Sequence, residues 1–288
     1  GATAHDNAPS NFTYDAKWGS VGTGNGQFGS NGSINVLAVN SQQETYVADK
    51  PNNRIQKFDS QGAFMFAWGS TGSGNGQFSI PIGIDTDLSG NVYVADAGNT
   101  RIQKFDSSGT YILQWAIPSN ALFVIVDSAD NVYVAGGTKV RKYTTTGTYI
   151  TEWGSNIQGS NDGEFSQIQD MVASSDGYIY VADAINNDVQ KFSNTGTFLT
   201  KWDTQGTANG EFNGITGLGA DYEGNFYVSD YFHRVQKFNS SGSYVLSFGS
   251  TDGSPGSADG IFYNPLHIDF DGGGNAYVAD NQNFRVQR

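Results

Sequence analysis

The chain has 288 residues, 37% of them hydrophobic and 14% aromatic, which is enough for a packed core. With 15 basic against 28 acidic residues its net charge is −13, a field that repels nucleic acid and anionic lipid and favours cations or basic partners. The absence of cysteine excludes disulfides and thiolate metal sites, and no apolar run approaches the ~20 residues of a membrane helix.

Residues 1–10 read as a polar tail. The segment NFTYDAKWGS (11–20) reads as one strand ending in Trp18. Repeated units follow, and the second is the clearest. After Gly-Gln-Phe comes an apolar strand, IPIGIDTD (80–87), then a turn, NVYVAD, a polar loop, RIQKF, a second turn (DSSG) and TYILQW. Alternation and β-branched residues favour strands, and no segment keeps a helical period. The tyrosines of the YVAD-like motif (Tyr46, Tyr93, Tyr133, Tyr180, Tyr227 and Tyr277) recur every 40–50 residues. Four strands at that spacing are a propeller blade. The last unit stops inside its third strand, FRVQR (284–288), and the segment 11–20 matches the outer strand it lacks. The N-terminal strand is therefore expected to complete the last blade and leave no sheet edge open.

The motif "GQF…G-(N)-x-YVAD-x-x-N-x-R-(I/V)-Q-K-F-x-x-x-G" resembles the NHL-repeat family from Asn11 to Arg288. The fold expected is all-β: one six-bladed β-propeller over residues 11–288, with four antiparallel strands per blade. The family does not imply one function, since its members include RNA binders, sensor and adhesion domains, and an amidating lyase.

Much of the composition serves the repeat. Trp18, Trp68, Trp115, Trp153 and Trp202 share one position, with Phe248 at the sixth, and read as inter-blade packing. Twelve of the 15 basic residues lie in third-strand segments. The pairs Asp49/Arg54, Asp96/Arg101 and Asp280/Arg285 can bracket the loop between second and third strands with a charge-assisted bond. This basic belt is not a concentrated nucleic-acid footprint.

Departures from the repeat carry the functional signal. Blade three lacks Gly-Gln-Phe and has a short loop from Gly136 through Gly137 to Lys139, so a notch is expected in the loop-rich rim. In blade four Asp188 replaces the usual Arg beside Asp183. Its connector adds Asp162 and Glu164, a set of carboxylates that could hold Ca²⁺ or another divalent cation. Near the channel, Asp85, Asp170, His267 and Asp269 are polar exceptions on inner strands, able to ligate a metal or a water cluster.

The lyase branch of the family, as the resemblance implies, uses a zinc held by several histidines. Only His5, His233 and His267 are present here. No constellation demands catalysis, and no cofactor is required. The expected function is a monomeric, extracellular or cell-surface binding scaffold. It would engage a protein, peptide or glycan through the loop-rich face around Gly136, Gly137, Lys139, Asp183 and Asp188, without nucleic acid or membrane insertion. The alternative is a metal-dependent lyase or lactonase-like enzyme using the channel carboxylates and His267.

Overall fold

The computed structural model describes residues 12–30, 36–118 and 121–288; the expected tail with His5, and Asn11, lie outside them. The strands form six four-stranded antiparallel sheets. Blade one is Leu37–Val39, Thr45–Asp49, Arg54–Phe58 and Phe64–Trp68. Blade two is Pro81–Thr86, Val92–Asp96, Arg101–Phe105 and Tyr111–Ala116. Blade three is Phe123–Val126, Val132–Gly136, Lys139–Tyr143 and Tyr149–Gly154. Blade four is Ile168–Ala173, Ile179–Asp183, Asp188–Phe192 and Phe198–Trp202. Blade five is Ile215–Ala220, Phe226–Asp230, Arg234–Phe238 and Tyr244–Gly249. Blade six is Pro265–Phe270, Ala276–Asp280 and Arg285–Gln287, completed by Lys17–Trp18.

That last pairing closes the ring. Lys17 and Trp18 oppose Gln287 and Val286. Beyond them Arg288 N donates to the Ala16 carbonyl at 2.8 Å, and Asp15 N donates to the Arg288 carbonyl at 2.8 Å. Trp18 then packs on Phe58 of blade one and Tyr277 of its own blade. Three tryptophans repeat this contact, Trp68 on Phe105, Trp115 on Tyr143 and Trp153 on Phe192, while Trp202 packs on Phe226 in the second strand of blade five. The expected inter-blade role is observed.

Each indole also lies over the next blade's outer hairpin turn, where the backbone has positive φ. A Cβ on Gly62 would come within 2.4 Å of Trp18. Between blades five and six both partners change. Phe248 stands in the tryptophan's place, Phe12 stands where the turn glycine would be, and the two rings stack at 4.7 Å.

All six YVAD tyrosines are fully buried. In four blades an aspartate at the turn between first and second strands organises both turn and tyrosine. Asp87 accepts the N–H groups of Ser89 and Asn91, the Asn91 side chain and the Tyr93 hydroxyl, the last at 3.0 Å. Asp127, Asp221 and Asp271 accept from Tyr133, Tyr227 and Tyr277 at 2.8, 2.8 and 3.1 Å. These turns form one face of the ring. The inter-blade connectors and the loops between second and third strands form the other.

The connectors are held by the third strands. In blade two Arg101 donates to Asp96 and to the carbonyls of Ser73, Gly74 and Gln77, and Gln103 donates to Gln77 O at 2.7 Å. Each Asp–Arg pair thus brackets its loop as expected and also clamps the incoming connector, with Arg54–Asp49 at 2.8 Å and Arg285–Asp280 at 2.7 Å.

Candidate functional site

Two regions meet the sequence criteria for a site: the central channel and the loop-rich rim at blades three and four.

The channel opens on the face of the first turns as a cavity of about 250 Å³, lined from all six blades and including Asp85, His267 and Asp269. Three inner strands carry an aspartate that reaches across to the next blade. Asp85 accepts Val126 N at 2.7 Å, Asp170 accepts Leu218 N at 2.8 Å and Asp269 accepts Val39 N at 2.6 Å. Each also accepts the N–H of the residue following it. The three carboxylates therefore bridge blades two to three, four to five and six to one, each through one bond across the boundary and one to its own strand. This bridging role is invisible in the sequence, where only the polarity of the positions stands out.

His267 Nδ1 lies 2.8 Å from Asp170 Oδ2, and both side chains are buried. Burial alone would lower the imidazole's pKa, but the charge and hydrogen bond of Asp170 hold it above its ordinary value, aided by Asp269 and Asp85. Burial and the charge of Asp269 push Asp85 up to about 7, against the two N–H donors that favour its ionised form. Burial also raises Asp269, opposed by His267. The structure thus brings together the four channel residues singled out from sequence, with Asp170 and His267 buried and Asp85 and Asp269 half-buried at the cavity wall. Among the described residues no three His, Asp or Glu side chains gather so as to hold a metal ion.

At blade four the expected carboxylate cluster does not form. Asp183 and Asp188 are opposed in the ladder. Asp183 is already engaged by the N–H groups of Ser166, Gln167, Ile185 and Asn186. The Glu164 side chain turns back to the Asn161 amide at 2.8 Å, and Asp162 faces Lys201 at 3.6 Å. Asp183 and Asp188 are also buried, so they do not surface on the partner face where they were expected. Burial and the charge of Asp183 push Asp188 up to about 7. The cation missing here is supplied by the neighbouring strand. Lys201 Nζ donates to Ser160 O at 3.1 Å, the repeat equivalent of the Arg101 bond to Ser73 O at 2.8 Å.

At blade three the rim is altered as the sequence suggested. Six residues separate Ala116 from Phe123, against twelve between Trp68 and Pro81. Gly136 is buried, while Gly137 and Lys139 are half-buried at the tight loop. Lys139 and Arg141 both pair with Glu152, Arg141 at 3.1 Å. His233 lies apart from these groups, in the loop of blade five, where its Nδ1 accepts Asn264 N at 3.1 Å.

This ring of six four-stranded blades around a polar channel is a six-bladed β-propeller. Residues 78–105 match the NHL repeat, and they cover the connector end and first three strands of blade two, whose pattern the other blades echo. No curated protein sequence matches the chain. Among solved structures, the chain is similar to a protein of unknown function from Bacteroides thetaiotaomicron, with TM-score 0.68 and 16% identity over 94% of this chain and 75% of that one. It is similar to virginiamycin B lyase from Staphylococcus aureus with Quinupristin, with TM-score 0.63 and 15% identity over 91% of this chain and 82% of the other. A gluconolactonase from Xanthomonas campestris gives TM-score 0.63 and 12% identity over 89% and 86%. At these identities the likeness is one of fold. Among the described residues no helix is long and apolar enough to cross a membrane.

Proposed function

We propose that this propeller is a non-catalytic binding scaffold that engages a protein, peptide or glycan through its loop-rich face at blade three. The observation that carries this reading is the break in the connector pattern. The rim is clamped shut by Arg and Gln side chains where a full connector is present, and blade three presents Lys139, Arg141 and Tyr149 without one. The channel groups support the same reading, because the carboxylates of Asp85, Asp170 and Asp269 join blades and Asp170 holds His267. A net charge of −13 suits a monomer working outside the cell or at its surface. A melting screen against sugars, peptides and divalent cations tests it, since a ligand bound only by the folded state raises Tm with occupancy. Stabilisation by a peptide or glycan, lost when the rim of blade three is altered, is the expected result.

A second reading is favoured by the channel itself: a metal-dependent lyase or lactonase-like activity, in the fold that a lyase and a gluconolactonase share. Its support is the cavity bearing Asp85, Asp269 and His267, with the Asp85 carboxyl near neutrality. Stoichiometric divalent metal, and lactone or lyase turnover lost in His267→Ala, would overturn the scaffold reading.

A further inference from the structure

The connectors behave as bound peptides. In blade two the connector is read as backbone: Gly76 N donates to Gln103 Oε1 at 2.9 Å, while Arg101 and Gln103 take the carbonyls of Ser73, Gly74 and Gln77. Phe78 then enters the core against Phe105. The connector glycine lies beside the Cβ of the residue that begins the outer strand. A Cβ on Gly163 would sit 3.8 Å from Phe198, and one on Gly210 would sit 3.4 Å from Tyr244. Both glycines have positive φ, +80° and +84°, a backbone conformation that favours glycine.

Blade three has only six residues between Ala116 and Phe123, and Gly136 and Lys139 stand where blade two has Asp96 and Arg101. Tyr149, the counterpart of Phe198 and Tyr244, is 53% exposed, whereas those two are half-buried. Arg141 stands where the other blades have their connector-reading glutamine. Its side chain is only 13% exposed, its Nε is bound to Glu152, and its Nη1 is buried with no hydrogen-bond partner among the described residues. A buried guanidinium N–H without an acceptor is costly. Lys139 adds a second cation against the single carboxylate of Glu152, in a chain that is otherwise strongly acidic.

We propose that this groove, on the edge of blade three facing blade two, takes an extended glycine-rich peptide segment of another chain, seated where connectors sit in the other five blades. A carbonyl of that segment accepts from Arg141 Nη1, a glycine lies over Tyr149, and an aromatic residue follows. The proposal rests on the scaffold reading and narrows it to one groove and one kind of partner.

The probe is a fluorescein-labelled peptide of the chain's own connector, STGSGNGQFS (residues 70–79), titrated with the full chain by fluorescence anisotropy. Saturable one-site binding is expected, weakened about tenfold or more by Arg141→Met or Tyr149→Ser in proteins whose melting is unchanged. A third variant replaces residues 117–122 by the sequence of 69–80 and carries Arg141→Gln, so that a connector fills the groove from within; it should not bind. Absence of saturation up to millimolar peptide, or binding that survives all three changes, overturns the proposal. In that event a ligand found elsewhere on the loop-rich face would leave the scaffold reading standing. His267-dependent turnover would overturn the scaffold reading whatever the peptide does.

Discussion

Blade four contains a defect that a single substitution should repair. In blades two, three, five and six the turn aspartate accepts the buried tyrosine hydroxyl at 2.8–3.1 Å. Blade four has Ser174 instead. Its hydroxyl reaches Tyr178 N at 3.2 Å, which preserves the turn, but Tyr180 Oη is buried with no hydrogen-bond partner among the described residues. The basic partner is also left short. Lys104 and Lys237 face Asp87 and Asp221 at 3.4 and 3.2 Å. Lys191, their counterpart, has a pKa lowered by burial, with only Asp176 opposing. A charge-assisted bond is worth roughly 1.5–3 kcal/mol, and part of that is lost to repulsion from Asp176, so Ser174→Asp should stabilise by about 1–2 kcal/mol. At roughly 2–4 °C per kcal/mol, Tm should rise by about 2–8 °C in calorimetry at pH 7.5. The carboxyls of Asp87 and Asp221 sit below their ordinary value because, despite burial, their amide and hydroxyl donors favour the charged form. By the same logic the gain is present above pH ~4 and lost as pH falls through the depressed pKa. The paired control is Tyr180→Phe, which removes an unsatisfied hydroxyl and should be neutral or stabilising. Tyr93→Phe strips a donor from Asp87 and should cost about 1–2 kcal/mol. Equal losses from Tyr180→Phe and Tyr93→Phe would refute the reasoning.

Three further outcomes follow from the same contacts. Asp188, raised from near 3.8 to about 7, leaves the folded state holding a proton that the unfolded chain releases, so this residue makes stability fall as pH rises across that window. Asp188→Asn should therefore raise Tm more at pH 8 than at pH 5, with an upper bound of about 4 kcal/mol; an equal shift at both values counts against it. Trp18→Ala opens the seam between blades six and one and should cost about 3–5 kcal/mol by chemical denaturation, whereas Asp15→Ala, which removes the exposed partner of Arg288, should cost under ~1 kcal/mol. Gly62→Ala places a methyl at 2.4 Å from the Trp18 ring on a backbone with φ +77°, and a loss of at least about 2 kcal/mol in the same titration is expected; an unchanged midpoint would remove the indole-on-glycine account.

The ring and its closure could be read from the sequence because repetition turns weak local signals into a strong one. A tyrosine every 40–50 residues, and an outer strand missing at one end and present at the other, determine six blades and their seam. The polar exceptions of the channel were legible for the same reason, as departures from aligned positions. What could not be read was direction. The sequence places Asp183, Asp188, Asp162 and Glu164 close together in one unit, but a carboxylate's orientation depends on which N–H groups the fold offers it. Asp183 turns to four backbone amides and Glu164 to Asn161. The role of the turn aspartates Asp87, Asp127, Asp221 and Asp271 is not legible in the sequence because their work is done through the Tyr hydroxyl six residues on. That spacing has meaning only once the first two strands are paired.

In blades three and four a change on the third strand is matched on the fourth. Gln103 faces Gln114 across the outer pair of blade two. In blade three the corresponding pair is Arg141 and Glu152, and in blade four it is Gln190 and Lys201, beside Asp188. Blade four keeps its connector, so Lys201 can take over the carbonyl that an arginine would have held, and the clamp survives with its charge moved one strand outward. Blade three has lost the connector, so its cations can only turn on Glu152, and one guanidinium nitrogen is left without an acceptor. Compensation of the first kind is complete within the chain and needs no partner. The second kind stays incomplete, and that difference singles out blade three as the place where another molecule has something to add.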